Sequence, residues 1–565
     1  MFNPVLFKTI KKYNSKLFFS DFASGIIVAI VALPLAIAFA IASGVSPATG
    51  LITAVMGGFM ISFFSGSRVQ IGGPSGALIV VIFGIVSQFG FEGVVIASML
   101  AGLMLVIMGL LRAGNVIQYM PYPIVVGFTS GIALTIFTSQ IQELTGMPGE
   151  DVPAELLGKW FFYFSNISKI DISTFGLGIL TILITVLWPR IYKKVPGSLI
   201  AIIVSVVLVS VFDLNVSTIG SKFGDLEMSF KSPFLPEMSF ELIRKLLVPA
   251  FTIAMLISIE SLFSAIVADG VTGYRHRPNT ELVSHGLANI ITPVFGGMAA
   301  SGALAKTMTN VRNGGKTPMA GVIHALVLLL FLLFLADLTN YIPLASLAGI
   351  LVVVAYNMSE WRSFKSILKN PKSDIAVLLT TFFLTLFVGL NIALPFGMIL
   401  ALLLFVKRVM ETSGIEVFQH EEENKVSDVD SFEKIEKPTG IEIFQIKGPY
   451  FFGFANKFEA VEKELHAKPK VRILKFDRVP FIDSTGLKNL RSFIDRCYRN
   501  NIFVVLSGVE PQVLESLEKD GITNLLTWDN ICPDIEAAII RSEELIHFME
   551  LEQDKKNIKY SNNYP

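Results

Sequence analysis

Two ionisable side chains stand where an apolar sequence tolerates them least. Glu260 lies in Ile257-Ser258-Ile259-Glu260-Ser261-Leu262-Phe263-Ser264, and Lys306 lies in Ala303-Leu304-Ala305-Lys306-Thr307. Both runs are apolar enough to enter a bilayer. A charge there costs about 2.5–3.5 kcal/mol on insertion scales, so each group needs a partner or water. A buried lysine beside a cavity can bind an anion, and a buried carboxylate can take up and release a proton. Glu260, with Ser264 one turn further on, is therefore a candidate coupling group. Plainer readings stand beside these: Lys306 snorkels to the nearer membrane face, or it forms a structural ion pair with Glu260. The pair and the coupling role overlap, because a pair that re-forms when a proton or solute leaves can itself couple transport.

The residues before Lys306 repeat an earlier stretch. Ser75-Gly76-Ala77-Leu78 recurs as Ser301-Gly302-Ala303-Leu304, 226 positions later, and Ala42-Ser43-Gly44-Val45 is echoed by Ala268-Asp269-Gly270-Val271 at the same offset. Tyr119-x-Pro121 and Tyr341-x-Pro343 form a third echo at 222. Gly72-Gly73-Pro74-Ser75-Gly76 and Gly296-Gly297-Met298-Ala299-Ala300-Ser301-Gly302 break the helix before each copy. Irregular backbone at membrane depth is tolerated only where it lines a protein cavity. Two half-helices then start near the midplane, each with unpaired N–H groups and a positive end of roughly +0.5 charge. Converging positive ends make an anion site. Its candidate contacts are Phe39, Ser75, Gly76, Ala77, Ser301, Gly302, Ala303, Leu304 and Lys306, with Ser75 and Ser301 at the cap positions. Small residues also simply let membrane helices approach closely, and Phe39 also reads as ordinary packing.

These residues need a membrane scaffold, and the composition supplies one. The 565 residues are 52% hydrophobic and 16% charged, with zero net charge, which argues against nucleic acid as a partner. Charge is sparse to about residue 405 and dense afterwards. Apolar runs predict about fourteen spans: 21–43, 47–66, 72–90, 93–112, 121–142, 172–189, 197–212, 246–268, 279–295, 302–312, 317–336, 342–357, 373–391 and 393–411. Basic residues such as Arg112, Arg190, Arg277, Arg312, Lys316, Arg362, Lys365 and Arg408 alternate with acidic loops at Glu143, Asp213 and Asp337. The alternation predicts cytoplasmic N- and C-termini. Seven spans separate the echoes, an odd number, so the halves (about 21–212 and 246–411) are expected to be inverted about an axis in the membrane plane. Glu260 reads as the one carboxylate well inside an apolar span. Cys497 and Cys532 show no metal or disulfide spacing. No metal, cofactor or catalytic residue is expected.

After the transmembrane region (1–411), a charged linker is expected over 412–437, with Glu421-Glu422-Glu423, Asp428 and Asp430. A soluble α/β domain then spans 438–548, with a tail over 549–565. Strand-like runs Gly440–Ile446, Val471–Phe476 and Ile502–Ser507 alternate with helices near 454–466, 485–499 and 511–518. In Asp483-Ser484-Thr485-Gly486, Ser484 reads as a helix N-cap, or as a phosphorylation site at a helix start.

Together these motifs resemble the SulP anion transporters, sulfate permease-like proteins with a cytoplasmic STAS domain. The carriers are Ala32-Leu33-Pro34-Leu35-Ala36-Ile37-Ala38-Phe39-Ala40, Gly72-Gly73-Pro74-Ser75-Gly76, Glu260-Ser261-Leu262-Phe263-Ser264, Asn310-Val311-Arg312-Asn313-Gly314-Gly315-Lys316-Thr317 and Asp483-Ser484-Thr485-Gly486-Leu487. The resemblance implies a polytopic helical fold whose core domain (first to fourth and eighth to eleventh spans) moves as an elevator against a gate domain. It also implies a homodimer in a bacterial inner membrane, protein contacts through the STAS domain, and an anion held between the third and tenth spans. Sulfate, bicarbonate, chloride and dicarboxylates are the substrates of such proteins. Their sodium-coupled bicarbonate members differ, with Asp at the position of Glu260 and Thr at that of Leu304. Losing that hydroxyl removes a hard oxygen ligand for sodium, which favours H+ as the coupling ion. An anion exchanger or uncoupled channel on the same fold, a nucleobase carrier, and a non-transporting membrane sensor remain alternatives. A neutral base has no need of Lys306, and a sensor has no need of the mid-membrane Gly breaks or of Lys306.

Overall fold

In lipid, each backbone N–H of a spanning segment must find its acceptor within that segment, so apolar runs fold as helices. The computed structural model describes residues 2–11, 13–117, 120–148, 152–153, 155–192, 195–224, 233–237, 239–388, 390–412, 414–418, 439–452 and 469–561. The acidic stretch at 421–430, the helix expected near 454–466 and Tyr119 lie outside them. Two units separate, Met1–Ala401 and Leu402–Pro565.

Among the described residues the first unit and its junction contain fourteen helical segments that correspond to the expected spans: α1 Ser15–Ala42, α2 Pro47–Phe64, α3 76–89, α4 91–110, α5 Tyr122–Thr145, α6 Ile172–Ile191, α7 Gly197–Phe212, α8 Phe240–Thr272, α9 Pro278–Val294, α10 Leu304–Arg312, α11 Met319–Phe334, α12 Leu344–Met358, α13 Lys372–Phe387 and α14 Leu390–Thr412. Eight helical stretches are long and apolar enough to cross a bilayer unaided. One of those, Gly76–Leu110, is divided into α3 and α4 by Gly90 at φ +67°. The order matches the sequence expectation. A short helix at Leu156–Ser165 was not foreseen.

The helices pack as two bundles. In one, α9 lies along α4, α8 along α3 and α4, α11 along α1, and α10 against α1 and α8. In the other, α5 packs on α12 and α13, and α6 on α7 and α12. Close approach is built in where it matters: a Cβ on Gly102 of α4 would lie 2.7 Å from the carbonyl of Gly286 on α9.

Two short strands join the halves of the first bundle. β1 (Gly72–Gly73) and β2 (Ser301–Gly302) pair antiparallel, with Gly72 opposite Gly302 and Gly73 opposite Ser301. Under the 226 offset this register puts Pro74 and its counterpart Ala300 at the crossing point. An inverted repeat requires such a register, since a two-fold axis maps each strand onto its antiparallel partner.

The second unit holds a five-stranded sheet in the order β3 (Gly414–Phe418), β4 (Ile441–Lys447), β5 (Val471–Arg478), β6 (Phe503–Ser507) and β7 (Ile531–Cys532). All its neighbours are parallel except β3–β4. β3 falls inside the stretch expected to be linker, because the β-branched alternation of Ile415-Glu416-Val417-Phe418 adds an edge strand. The C-terminal helix Ile535–Ser561 runs through residue 549, where a tail was expected to begin.

Candidate functional site

The strand crossing is buried, and the side chains singled out from sequence gather around it. Ser75 is 2% exposed and Ser301 fully buried; Phe39, Ala77, Gly76, Gly302, Ala303 and Lys306 are also buried. Glu260 and Leu304 are partly exposed.

Glu260 reaches the crossing from the middle of α8 and accepts one hydrogen bond from each repeat. Ser75 Oγ donates to Oε1 at 2.5 Å, and Ser301 Oγ donates to Oε2 at 2.6 Å. Lys306 Nζ donates to the Pro74 carbonyl at 3.0 Å. No Glu260–Lys306 contact within 4.0 Å occurs, so the expected structural ion pair is absent from this state of the protein. The reason is local: the ammonium is captured by a carbonyl that the first helix break leaves free. Gly73, at φ +139°, makes room for it, because a Cβ there would lie 2.7 Å from Lys306 Nζ.

The two helix starts are not equivalent. Ser75 caps the 3-10 turn Gly76–Leu78, its Oγ accepting from Ala77 N at 3.2 Å. Ser301, expected at a cap position, lies in β2, and the N-cap of α10 is Ala303, which offers no side-chain acceptor. The first N–H groups of α10 (Leu304, Ala305 and Lys306) therefore carry no side-chain cap and remain available to an anion. Leu304 is the first residue of α10 and brings no hydroxyl there. Ser264 is fully buried, and its hydroxyl has no partner among the described residues.

Apolar side chains pack against the first helix break. A Cβ on Gly76 would lie 2.8 Å from Met358 Sδ and 3.6 Å from Phe39 Cε1. Phe39 comes from α1 of the first bundle, and Met358 ends α12 of the second. The sequence reading missed Met358, whose type and position carry no signal until α12 is seen to face the helix break.

A frame of fixed hydrogen bonds holds this arrangement. Ala303 N donates to the Ile71 carbonyl (3.2 Å), Ile71 N to Thr307 Oγ1 (3.1 Å), Gly302 N to Ser261 Oγ (3.0 Å) and Gln70 Nε2 to the Ser261 carbonyl (2.9 Å). Thr53, in a π-helical turn of α2, accepts from Met298 N at 2.8 Å. Gln70, Ser261 and Thr307 were also missed. Gln70 sits between apolar neighbours and Ser261 follows Glu260 in sequence, and their bonds close only in three dimensions.

Glu260 is not the lone buried carboxylate. Asp21, near the start of α1, and Glu281, in the first turn of α9, are both fully buried. Asp21 accepts from the N–H groups of Lys316 (2.8 Å) and Thr317 (3.2 Å) and from Thr317 Oγ1 (2.5 Å). Glu281 accepts from Gly66 N (2.6 Å), Ser67 N (2.9 Å) and Ser65 Oγ (3.0 Å). Both cap loops of the first bundle, and neither touches the strand crossing.

In the second unit, Asp483 and not Ser484 is the N-cap of the helix Ser484–Arg499. Asp483 Oδ1 accepts from Gly486 N at 2.7 Å, and the same side chain accepts from Phe452 N at 3.2 Å. A carboxylate supplies two acceptor atoms where a serine supplies one, and it also suits the positive helix end. Ser484 is the first helical residue and is exposed.

Comparison with known proteins places this geometry in a family. The sulfate permease family matches residues 18–381, and the STAS domain matches residues 434–538. The "Putative sulfate transporter YvdB" of Bacillus subtilis is 37% identical over 514 residues, covering 91% of this chain and 95% of its own. Bicarbonate transporter BicA of a Picosynechococcus strain is 30% identical over 523 residues, covering 88% and 90%. The structure of the murine Slc26a9 anion transporter in the inward-facing state superposes with a TM-score of 0.84, covering 95% of this chain and 94% of that one. At 17% identity, that likeness concerns the fold.

Proposed function

From the premise that the chain belongs to the sulfate permease family, we propose that it is a proton-coupled symporter of a small anion such as sulfate, bicarbonate or a dicarboxylate. The observation that carries this reading is that hydroxyls from both inverted helix breaks, Ser75 and Ser301, donate to the two oxygens of Glu260.

An ionised Glu260 occupies both serine donors. A proton on one carboxylate oxygen removes an acceptor, and the released hydroxyl can rotate toward an anion. The anion would meet that hydroxyl, the uncapped N–H groups of α10 and the positive charge of Lys306. Proton binding and anion binding then reinforce one another, as symport requires. Gly76, Ala77, Gly302 and Ala303 allow close approach of backbone, and Phe39 with Met358 closes the apolar wall. Leu304 supplies no oxygen to a sodium ion, and Ser264 offers a spare hydroxyl beside Glu260 on α8.

The bundle carrying the strand crossing would slide as an elevator against the bundle of α5–α7 and α12–α14, in a homodimer with both termini in the cytoplasm. The STAS domain would meet cytoplasmic proteins, with exposed Ser484 as a regulatory position. A second reading, an exchanger or uncoupled channel, draws on the same bonds: both oxygens of Glu260 are satisfied, so it can remain ionised as a strut.

The test is uptake of radiolabelled sulfate, bicarbonate and fumarate by purified protein in liposomes, with an inward proton gradient, an inward sodium gradient, or neither. Uptake of one anion driven only by protons is expected. Sodium-driven uptake overturns the argument from Leu304, and equal rates under all three conditions favour the second reading.

A further inference from the structure

Away from the strand crossing, a cavity lies in the second helix bundle. It has a volume of about 540 Å³, within the range of about 300–1,000 Å³ typical of ligand sites. Its walls come from α5 (Ala133, Phe137), α12 (Ala355), α13 (Phe382, Phe383) and the short helix Trp361–Ile367, and no residue of the first bundle lines it. Almost all of its lining is hydrocarbon, yet Trp361 and Phe383 at its edge are more than half exposed or close to it, at 59% and 50%. In a membrane protein such a cavity opens to lipid tails.

One end of the cavity is chemically different. Trp361 stacks on Phe364 (centroids 6.2 Å apart, 11° between planes), and Ser130 Oγ donates to the Ser359 carbonyl at 2.6 Å. Trp361 stands where aromatic residues mark a membrane–water boundary. The short helix turns Phe364 and Ile367 inward and leaves Arg362, Lys365 and Lys369 exposed, with Lys372 opening α13. Among the described residues, none of these four cations has a carboxylate within 4.0 Å. The acidic neighbours are engaged elsewhere, Glu360 accepting from Tyr122 OH at 3.0 Å and Asp374 from Ser373 Oγ at 3.2 Å. An apolar cavity of drug-like size is thus lined by Trp361 and Phe364 of a short helix whose exposed residues include the cations Arg362 and Lys365.

We propose that this cavity binds one anionic glycerophospholipid, with an acyl chain between α5, α12 and α13 and its phosphate headgroup on Arg362 and Lys365. Charge complementarity selects this occupant over a zwitterionic lipid, because each basic residue near a membrane surface favours anionic headgroups. The cavity abuts α12, whose last residue, Met358, faces the helix break at Gly76. A bound chain would therefore stiffen the wall against which the first bundle rests.

The experiment uses full-length protein in phosphatidylcholine vesicles containing a small fraction of dibromo-acyl phosphatidylglycerol or, separately, dibromo-acyl phosphatidylcholine. Bromine quenches tryptophan on contact, and the contribution of Trp361 among the four tryptophans is isolated by subtracting the signal of Trp361→Phe protein. Half-quenching is expected at about a tenfold lower membrane fraction of the anionic lipid. The exposed double variant Arg362→Gln with Lys365→Gln should erase that preference, and the charge-preserving pair Arg362→Lys with Lys365→Arg should retain it. Equal quenching by the two lipids overturns the proposal, leaving ordinary annular lipid. A preference that survives the double Gln variant overturns the headgroup assignment. Absence of quenching by either lipid also overturns it, since the face would then be covered, for example by a second copy of the chain.

Discussion

Three carboxylates lie within helices of the first bundle, and the atoms that hold them divide them into two kinds. Asp21 and Glu281 are each held by two backbone N–H groups, whose directions the fold dictates. Glu260 is held by two serine hydroxyls, which rotate about a single bond at little cost. A backbone donor cannot turn away when its acceptor is protonated, and an unpaired buried N–H is costly. A hydroxyl can turn and donate elsewhere. The donors therefore set opposite ends: backbone N–H groups fix Asp21 and Glu281 to their loops, while rotatable hydroxyls leave Glu260 able to exchange partners.

Mutations can break or sharpen that contrast. The largest effect is expected for Glu260→Gln, which keeps the size of the side chain and removes its titration. Proton-driven anion uptake in liposomes should fall to the rate without a gradient, with folding preserved; an unchanged response to the gradient removes Glu260 from coupling. Next, Lys306→Ala should raise the KM for anion uptake by about ten- to a hundredfold, the value of a hydrogen bond to a charged group of about 1.5–3 kcal/mol. Wild-type uptake by this variant would remove Lys306 from the site.

Glu281→Gln should act in the other currency. Weaker bonds from Gly66 N and Ser67 N should cost about 2 kcal/mol of stability, visible as a lower thermal midpoint in detergent, with the proton-to-anion ratio unchanged. A coupling defect in Glu281→Gln, or a purely thermal defect in Glu260→Gln, would dissolve the distinction. Ser75→Ala and Ser301→Ala should each weaken anion uptake by about tenfold or less, since a backbone donor set remains. The smallest effect is expected in the STAS domain: Asp483→Ala should cost about 1 kcal/mol by loss of the cap, and Ser484→Ala within about 0.5 kcal/mol, by denaturant melts of the full chain.

Much of the fold could be read before any coordinates. The order of about fourteen segments, the helix breaks and the inverted halves follow from hydropathy and from three repeated motifs in register, because lipid forces local backbone satisfaction and leaves each span a self-contained unit. Glu260, Lys306, Ser75 and Ser301 stood out because charge and Gly breaks are conspicuous against an apolar background. Asp21 and Glu281 escaped notice because they sit at helix starts, where acidic residues are ordinary; only the folded chain brings loop N–H groups from 66–67 and 316–317 onto them. Met358 and Gln70 escaped for the same reason, being ordinary residues made important by what lies opposite.

The sequence by itself thus determined the order of the spans, the conspicuous charges Glu260 and Lys306 within them, and the family they belong to. The tertiary structure decided who is bonded to whom: Lys306 to the Pro74 carbonyl instead of Glu260, Ser301 in a strand instead of a cap, and Asp483 in place of Ser484. The physical reason is that burial is a property of composition along one segment, whereas a hydrogen bond needs two groups within about 3 Å in the right direction. Residues more than 200 positions apart, such as Lys306 and Pro74 or Asp21 and Lys316, meet at that precision only in the folded chain.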